Sequence, residues 1–214
     1  MKKDEPIRRK SITISTNMKQ VVKELKNLGK LSEKVVSRTV SDMKSRAPGA
    51  VASAVTTTYN IKKSEITPVS KTSGKQVKKA AAVRITGEQI SDLAIVYEGR
   101  PLTPIHFKMT PTAPIPGKKY DIKFEVKKGK KQILRGKSEL GQPPFLAPNG
   151  YGTYIPFQRK ADSREIAYSV RTTSVPQMIQ DESSVEAEIQ RRLDELLSKR
   201  LDYHMSRMKN GGAK

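Results

Sequence analysis

The sequence predicts an α+β fold, a mostly antiparallel sheet flanked by an N-terminal helix and a long C-terminal helix. Three observations carry that expectation. Apolar residues recur at spacings of three and four near the start of the chain and again near its end, the period of a helix with one buried face. Between them, over residues 61–168, short segments alternate or are rich in β-branched residues, and Gly and Pro separate them. Helix, strands, helix is the order of an α+β domain, with no repeat of the solenoid kind. Both helices need the sheet to bury their apolar faces, so one domain is expected over residues 16–209.

Taken in order, residues 1–15 read as a flexible basic arm with a short strand at residues 11–14. A helical stripe follows: Met18, Val21, Val22, Leu25, Leu28, Leu31, Val35, Val36, Val40 and Met43. Thr16 or Asn17 is placed to cap it, and Gly29 weakens or divides it at about 1 kcal/mol relative to Ala. Pro48 is expected to end this helix and to open a second short one at "PGAVASAVTTTYN".

The strand segments are "AAVRIT", "LAIVYEG", "IHFKMTP", "KYDIKFEVKKG" and "KQILRGK". In "YDIKFEV", Ile122, Phe124 and Val126 fall on one side, with Asp121, Lys123 and Glu125 on the other. With "KKGKKQIL" it reads as a hairpin turned at Lys-Gly-Lys. "VSKTSGKQVKK" reads as a mobile basic loop. "GQPPFLAPNGYGTYIP", with four Pro and three Gly, reads as a long loop and not a strand.

The last element is the most regular. Val185, Ile189, Leu193, Leu196, Leu197, Leu201, Met205 and Met208 form one stripe at ~3.6 residues per turn. Ser183 and Glu186 have capping-box spacing, and Asp181 and Glu182 bring negative charge to the positive end of the helix dipole. Residues 210–214 read as a disordered tail.

Composition bounds function. Hydrophobic residues make up 35% of the chain and aromatics 5%, with no Trp, so the core is built mostly from Val, Ile and Leu. The net charge is +21, from 42 Lys+Arg against 21 Asp+Glu, which points to polyanionic partners: nucleic acid, an anionic membrane or acidic protein surfaces. That excess is uneven. Residues 100–140 hold eleven Lys+Arg and three acids, whereas residues 181–209 hold six and seven. With no Cys, disulfides, thiolate catalysis and Cys-ligated zinc are excluded. No stretch approaches the ~20 apolar residues of a membrane span, and no apolar run follows the basic N-terminus. A soluble protein made in the cytoplasm is expected.

No catalytic constellation is visible. His106 and His204 are the only histidines, and neither has a second ligand at metal spacing. Each is read as a solvated or core histidine, and His204, near the end of its helix, is placed to complement the dipole. H-E-x-x-H, P-loop and nucleophile-elbow motifs are absent. An enzyme is not expected, nor a cofactor. Any nucleic-acid contact would be to the backbone and non-specific, since no base-reading motif occurs.

Against that background, "VYEGRPLTPIHFKMTP", then "YIPFQR", "REIAYSVRTTSVPQMI" and the helix "VEAEIQRRLDELLSKRLDYHMSRM" resemble, in this order, the phage minor tail protein Z family. The resemblance spans residues 18–208. Tyr203-His204 stand where that family tends to carry a paired His, and Thr173 where Gly-Pro is common. The resemblance implies a tail-completion domain. Such a virion protein would close the head-proximal end of a tail tube and join it to the head connector, as a ring subunit without catalytic or metal residues. Its partners would be copies of itself, tail tube or terminator proteins, connector proteins and genomic DNA in the channel. It would leave the host cytoplasm for the virion on assembly.

Two residue sets follow from this combined reading. Phe145, Leu146, Tyr151, Tyr154 and Phe157 either anchor an interface or cap the domain's own core, and Pro176, also a candidate interface residue, sets the strand-to-helix corner by biasing Val175 toward an extended conformation. Lys118, Lys119, Lys127, Lys128, Lys130 and Lys131 are the candidate DNA-facing or acid-facing cations. The competing class is a free-standing, non-specific nucleic-acid-binding protein.

Overall fold

A computed structural model gives the fold and describes residues 10–15, 30–68, 81–90, 92–137, 140–160, 166–181 and 183–211. In chain order the elements are β1 (Lys10–Ser15), α1 (Lys30–Thr58), α2 (Lys63–Ile66), β2 (Ala82–Thr86) and β3 (Ala94–Gly99). After a 3-10 turn (Pro104–His106) come β4 (Lys108–Thr110), β5 (Lys123–Glu125), β6 (Gln132–Ile133) and β7 (Phe145–Pro148). The chain continues with β8 (Tyr154–Arg159), β9 (Ile166–Ser169), α3 (Val175–Gln180) and α4 (Ser183–Gly211).

The apolar stripes of α1 and α4 meet. Val40, Met43, Ala47, Val51 and Val55 of α1 share one core with Val185, Ile189, Leu193 and Leu197 of α4, and α3 adds Met178 and Ile179. The expected break at Pro48 does not occur, because α1 runs through it to Thr58. A proline inside a helix costs about 3 kcal/mol. Val51 and Val55 just beyond it are both 0% exposed, and burying each fully contributes about 1.5–3 kcal/mol. Packing outweighs the break. The predicted caps and Gly29 of this helix lie outside the described residues, as does the basic loop at 69–79.

The α+β class is borne out, with the antiparallel strands divided among three three-stranded sheets. In the first, ordered β1-β3-β2, Ile95 and Tyr97 of the central strand turn into the main core. The strand expected at the end of the basic arm is therefore an edge of this sheet, with Ile12 opposite Tyr97. Gly87 makes the β2–β3 turn at φ +96, where a Cβ would stand 2.3 Å from the Asp92 carbonyl oxygen.

The other two sheets, β4-β5-β6 and β7-β8-β9, enclose a smaller core of Met109, Ile122, Phe124, Leu134, Leu146 and Val170. The predicted Lys-Gly-Lys hairpin forms here, as β5 paired with β6. Residues 141–156 correct the sequence reading: β7 and β8 pair there, Leu146 opposite Pro156. Pro156 is tolerated in a central strand because its carbonyl accepts from the Val170 amide at 2.8 Å, just past the end of β9. The donor it lacks would have pointed to that same side, so only the fraying end of the ladder loses a bond. At the tip, the Asn149 side chain accepts from the Tyr151 and Thr153 amides at 2.9 and 3.0 Å.

The strand-to-helix corner also differs from expectation. A short helix, α3, intervenes before α4, and the extended residue is Ser174, with Val175 already helical ahead of Pro176. Ser174 and Gln177 close a capping box at the start of α3, while the long helix that the sequence reading began at Ser183 begins there. Two bonds, Leu102 amide to Thr173 carbonyl and Thr172 amide to Leu102 carbonyl, hold the corner against residue 102. At the far end, α4 reaches Gly211, two residues into the stretch read as a tail, within the usual latitude of helix ends.

Candidate functional site, a cationic groove beside the smaller core

A groove of about 900 Å³ opens beside the smaller core, between the β5–β6 hairpin and the stretch 168–173. Phe124, Leu134 and Val170 give it an apolar floor. Lys127, Lys130, Lys137 and Arg171 line it, with Asp181 as the one acid. Opposed cations of this density in a partly desolvated cleft attract anions and raise their local concentration.

Each wall is held by its own bonds. The hairpin is strapped to the end of α1: the Asn60 amide donates to Val126 carbonyl at 2.8 Å and the Lys128 amide to Thr58 carbonyl at 2.9 Å. Gly129 turns the hairpin at φ +75, and its amide donates to Glu125 Oε1 at 2.6 Å. That bond above all, helped by Asn60 and Lys108, holds the Glu125 carboxyl below the usual carboxylate range. Lys127 Nζ lies 5.8 Å from the Tyr59 ring centre. Burial, and then Asp181, pushes the Tyr59 phenol up.

The opposite rim depends on Gln158, which is 1% exposed. Its Oε1 accepts from the Lys137 amide at 2.8 Å and from the Tyr168 hydroxyl at 2.6 Å. Its Nε2 donates to the Lys137 and Gln142 carbonyls at 2.8 and 2.7 Å. All four hydrogen-bonding capacities of the amide are used. Gly136 makes this possible at φ +67, where a Cβ would stand 2.5 Å from Gln158 Oε1. Lys137 is thereby held with its Nζ 5.1 Å from the Tyr168 ring centre. Arg171 is anchored by a 3.1 Å bond from Nη1 to the Pro101 carbonyl.

Of the predicted cations, Lys127 and Lys130 line this groove. Lys128 and Lys131 are exposed on the same hairpin, and Lys118 and Lys119 are exposed on the loop before β5. The predicted aromatic set divides. Tyr151 and Tyr154 stand out at the β7–β8 tip, 78% and 37% exposed. Phe145 and Phe157 are a half-buried cross-strand pair, with the Arg159 guanidinium 4.8 Å from the Phe145 ring centre. Leu146 is 4% exposed because it faces the smaller core, and Pro176 is buried because the first turn of α3 packs inward. Neither offers a surface to a neighbour.

Sequence reasoning missed Lys137, Arg171, Tyr168 and Gln158 as members of one site. The only local signal was Gly136 before Lys137, and nothing in the sequence pairs residue 137 with residue 158.

The two histidines act as cross-links. His106 Nδ1 meets Glu65 Oε2 at 2.5 Å. His204 Nε2 meets Asp42 Oδ2 of α1 at 3.1 Å, with Arg200 3.7 Å from the same oxygen. The sequence reading put His204 at a helix end, whereas α4 continues to Gly211 and His204 serves the α1–α4 contact. Among the described residues no group of three or more His, Cys, Asp or Glu is arranged to hold a metal ion. No helix there is long and apolar enough to cross a membrane.

Comparison with family models, with curated proteins and with solved structures returns no match.

Proposed function

We propose that this chain is a structural subunit of a phage or prophage tail, without catalytic activity or cofactor. It closes the head-proximal end of the tail tube and joins it to the head connector as one member of a ring. The observation that carries the reading is how the segments resembling minor tail protein Z fold together. "YIPFQR" is β8, the "IAYS" of the next segment is β9, and "SVPQMI" is a capped α3 leading into α4. Among the described residues β9 pairs with β8, and α3 packs on α4. The same segments pack α4 on α1 and leave the Tyr151–Tyr154 tip and the lysine hairpin exposed, the kind of surface a ring subunit turns to neighbours and to DNA.

A free-standing nucleic-acid-binding protein is the second reading, favoured by the net charge of +21 and the exposed Lys118, Lys119, Lys128, Lys130 and Lys131. Labelling an epitope-tagged copy on purified tail particles, viewed by electron microscopy, separates the two. Label at the head-proximal end in a fixed small number per tail is expected. Label absent from every particle, with the protein co-purifying with cellular nucleic acid, overturns the tail reading.

A further inference from the structure

A second cavity, of about 300 Å³, opens where β2 begins and β3 ends, against the stretch that runs on to His106. Its wall is tied down at several points. The Leu102 amide donates to the Thr173 carbonyl at 2.9 Å, and the Leu102 carbonyl accepts from the Thr172 amide at 2.7 Å and the Thr172 hydroxyl at 3.1 Å. The His106 amide donates to the Thr103 carbonyl at 3.2 Å. A ligand entering here therefore meets a wall that it need not order.

Donors from separate segments line this cavity: Arg100 just after β3, Thr103 and His106 at the 3-10 turn, and Arg171 after β9. Arg171 Nη1 donates to the Pro101 carbonyl at 3.1 Å, and Pro101 is itself part of the wall, which puts the guanidinium head at the cavity. One bond to a neutral carbonyl leaves the charge and the other N–H donors of the fork for a ligand. His106 Nδ1 is committed to Glu65 Oε2 at 2.5 Å. That bond orients the ring and leaves Nε2 as the nitrogen for a ligand, a donor when the ring is an imidazolium. Thr103 stands at the cap position of the 3-10 turn but makes no side-chain capping bond. Glu98 also lines the cavity, and its carboxylate is paired with Arg84 across the β2–β3 ladder. Residues 69–80, which lead into Ala81 at the cavity, contain four Lys and no acid.

Size and donor chemistry select the ligand. The volume suits a small group. Two guanidinium forks, an imidazole and a hydroxyl on separate segments match a tetrahedral oxyanion with several acceptor oxygens better than a planar carboxylate. We propose that this cavity binds a phosphate group, with Arg100 and Arg171 pairing its charge and His106 Nε2 and Thr103 Oγ1 bonding further oxygens. The group comes from free phosphate or from a nucleic-acid backbone. The proposal stands apart from the tail reading, which can fail without it.

The test follows the ring resonances of the two histidines by NMR in the full chain, at about pH 6, where histidine carries charge, and at constant ionic strength. His204, held at the α1–α4 contact by Asp42, is the control within the same molecule. Inorganic phosphate replacing chloride is expected to move the His106 resonance saturably and to leave His204 in place. Arg100→Gln, a change at an exposed side chain, is expected to weaken this binding at least about tenfold. Oligothymidylate in place of phosphate distinguishes the sources: the same movement of His106 at lower concentration assigns a nucleic-acid backbone, and none assigns free phosphate. Phosphate that moves both histidines alike overturns the proposal, as does unchanged binding by Arg100→Gln. A His106 resonance that neither probe moves also overturns it.

Discussion

Along α4 the charges answer one another. Glu188 is bonded by Arg191 at 2.7 Å and by Arg192 at 2.6 Å, Arg191 also reaches Glu195, and Arg200 and His204 converge on Asp42 of α1. Along the β5–β6 hairpin, Lys128, Lys130 and Lys131 are exposed with no ion pair among the described residues. The cores differ in the same sense. The helices share a large cluster that reaches 0% exposure at Met43, Val51, Val55 and Leu197. The two small sheets enclose six buried residues whose exposures run from 2% to 9%. The helical half holds the deeper core, and the hairpin keeps Lys128, Lys130 and Lys131 exposed.

The largest expected effect sets the two cores against each other. Leu197→Ala is expected to cost about 2–5 kcal/mol in urea unfolding, the range for a buried leucine. Leu134→Ala is expected to cost less, because its site borders the open groove and can relax into it. A larger loss at Leu134 breaks the comparison.

Next comes Gln158→Leu, which leaves the Lys137 amide and carbonyl, the Gln142 carbonyl and the Tyr168 hydroxyl without this partner. About 1–3 kcal/mol is expected, together with faster amide exchange at Lys137. Slow exchange with full stability removes Gln158 as the support of the groove rim.

The smallest effects are pH-dependent. The Arg191 and Arg192 bonds hold the Glu188 carboxyl at about 2, below its ordinary 4.5. A depressed carboxyl contributes stability above the unfolded value, and that contribution fades as pH falls from 4.5 toward 2. Burial pushes the Tyr97 phenol up from 10.0, so the fold is unaffected below pH 10 and loses stability as rising pH forces charge onto the buried ring. A plateau of thermal stability between these limbs is expected. Glu188→Gln flattens the acid limb and Tyr97→Phe the alkaline one. The Tyr97 hydroxyl is buried without a hydrogen-bond partner among the described residues, so Tyr97→Phe is expected to cost nothing at neutral pH.

The contrast also explains what was legible in the sequence. The α4 stripe was, because Val185, Ile189, Leu193 and Leu197 repeat every fourth residue and local periodicity settles a helix. The hairpin around Gly129 was legible from alternation and a turn residue. Pro48 and residues 141–156 were not, since proline rules describe local cost while tertiary burial and the end of a strand ladder decided both outcomes. The groove was half legible. Lys127 and Lys130 belong to a visible charge run, but Lys137 and Arg171 join them only through Gln158 and the corner at Leu102, contacts between distant parts of the chain that no local pattern encodes.

The division of labour is tested most directly by tail assembly with the triple variant K128E/K130E/K131E. These side chains are exposed and outside both cores. The variant is expected to unfold at the wild-type midpoint and yet fail to join tails. A folded variant that joins tails at the wild-type level contradicts the proposal that these exposed hairpin lysines face a partner.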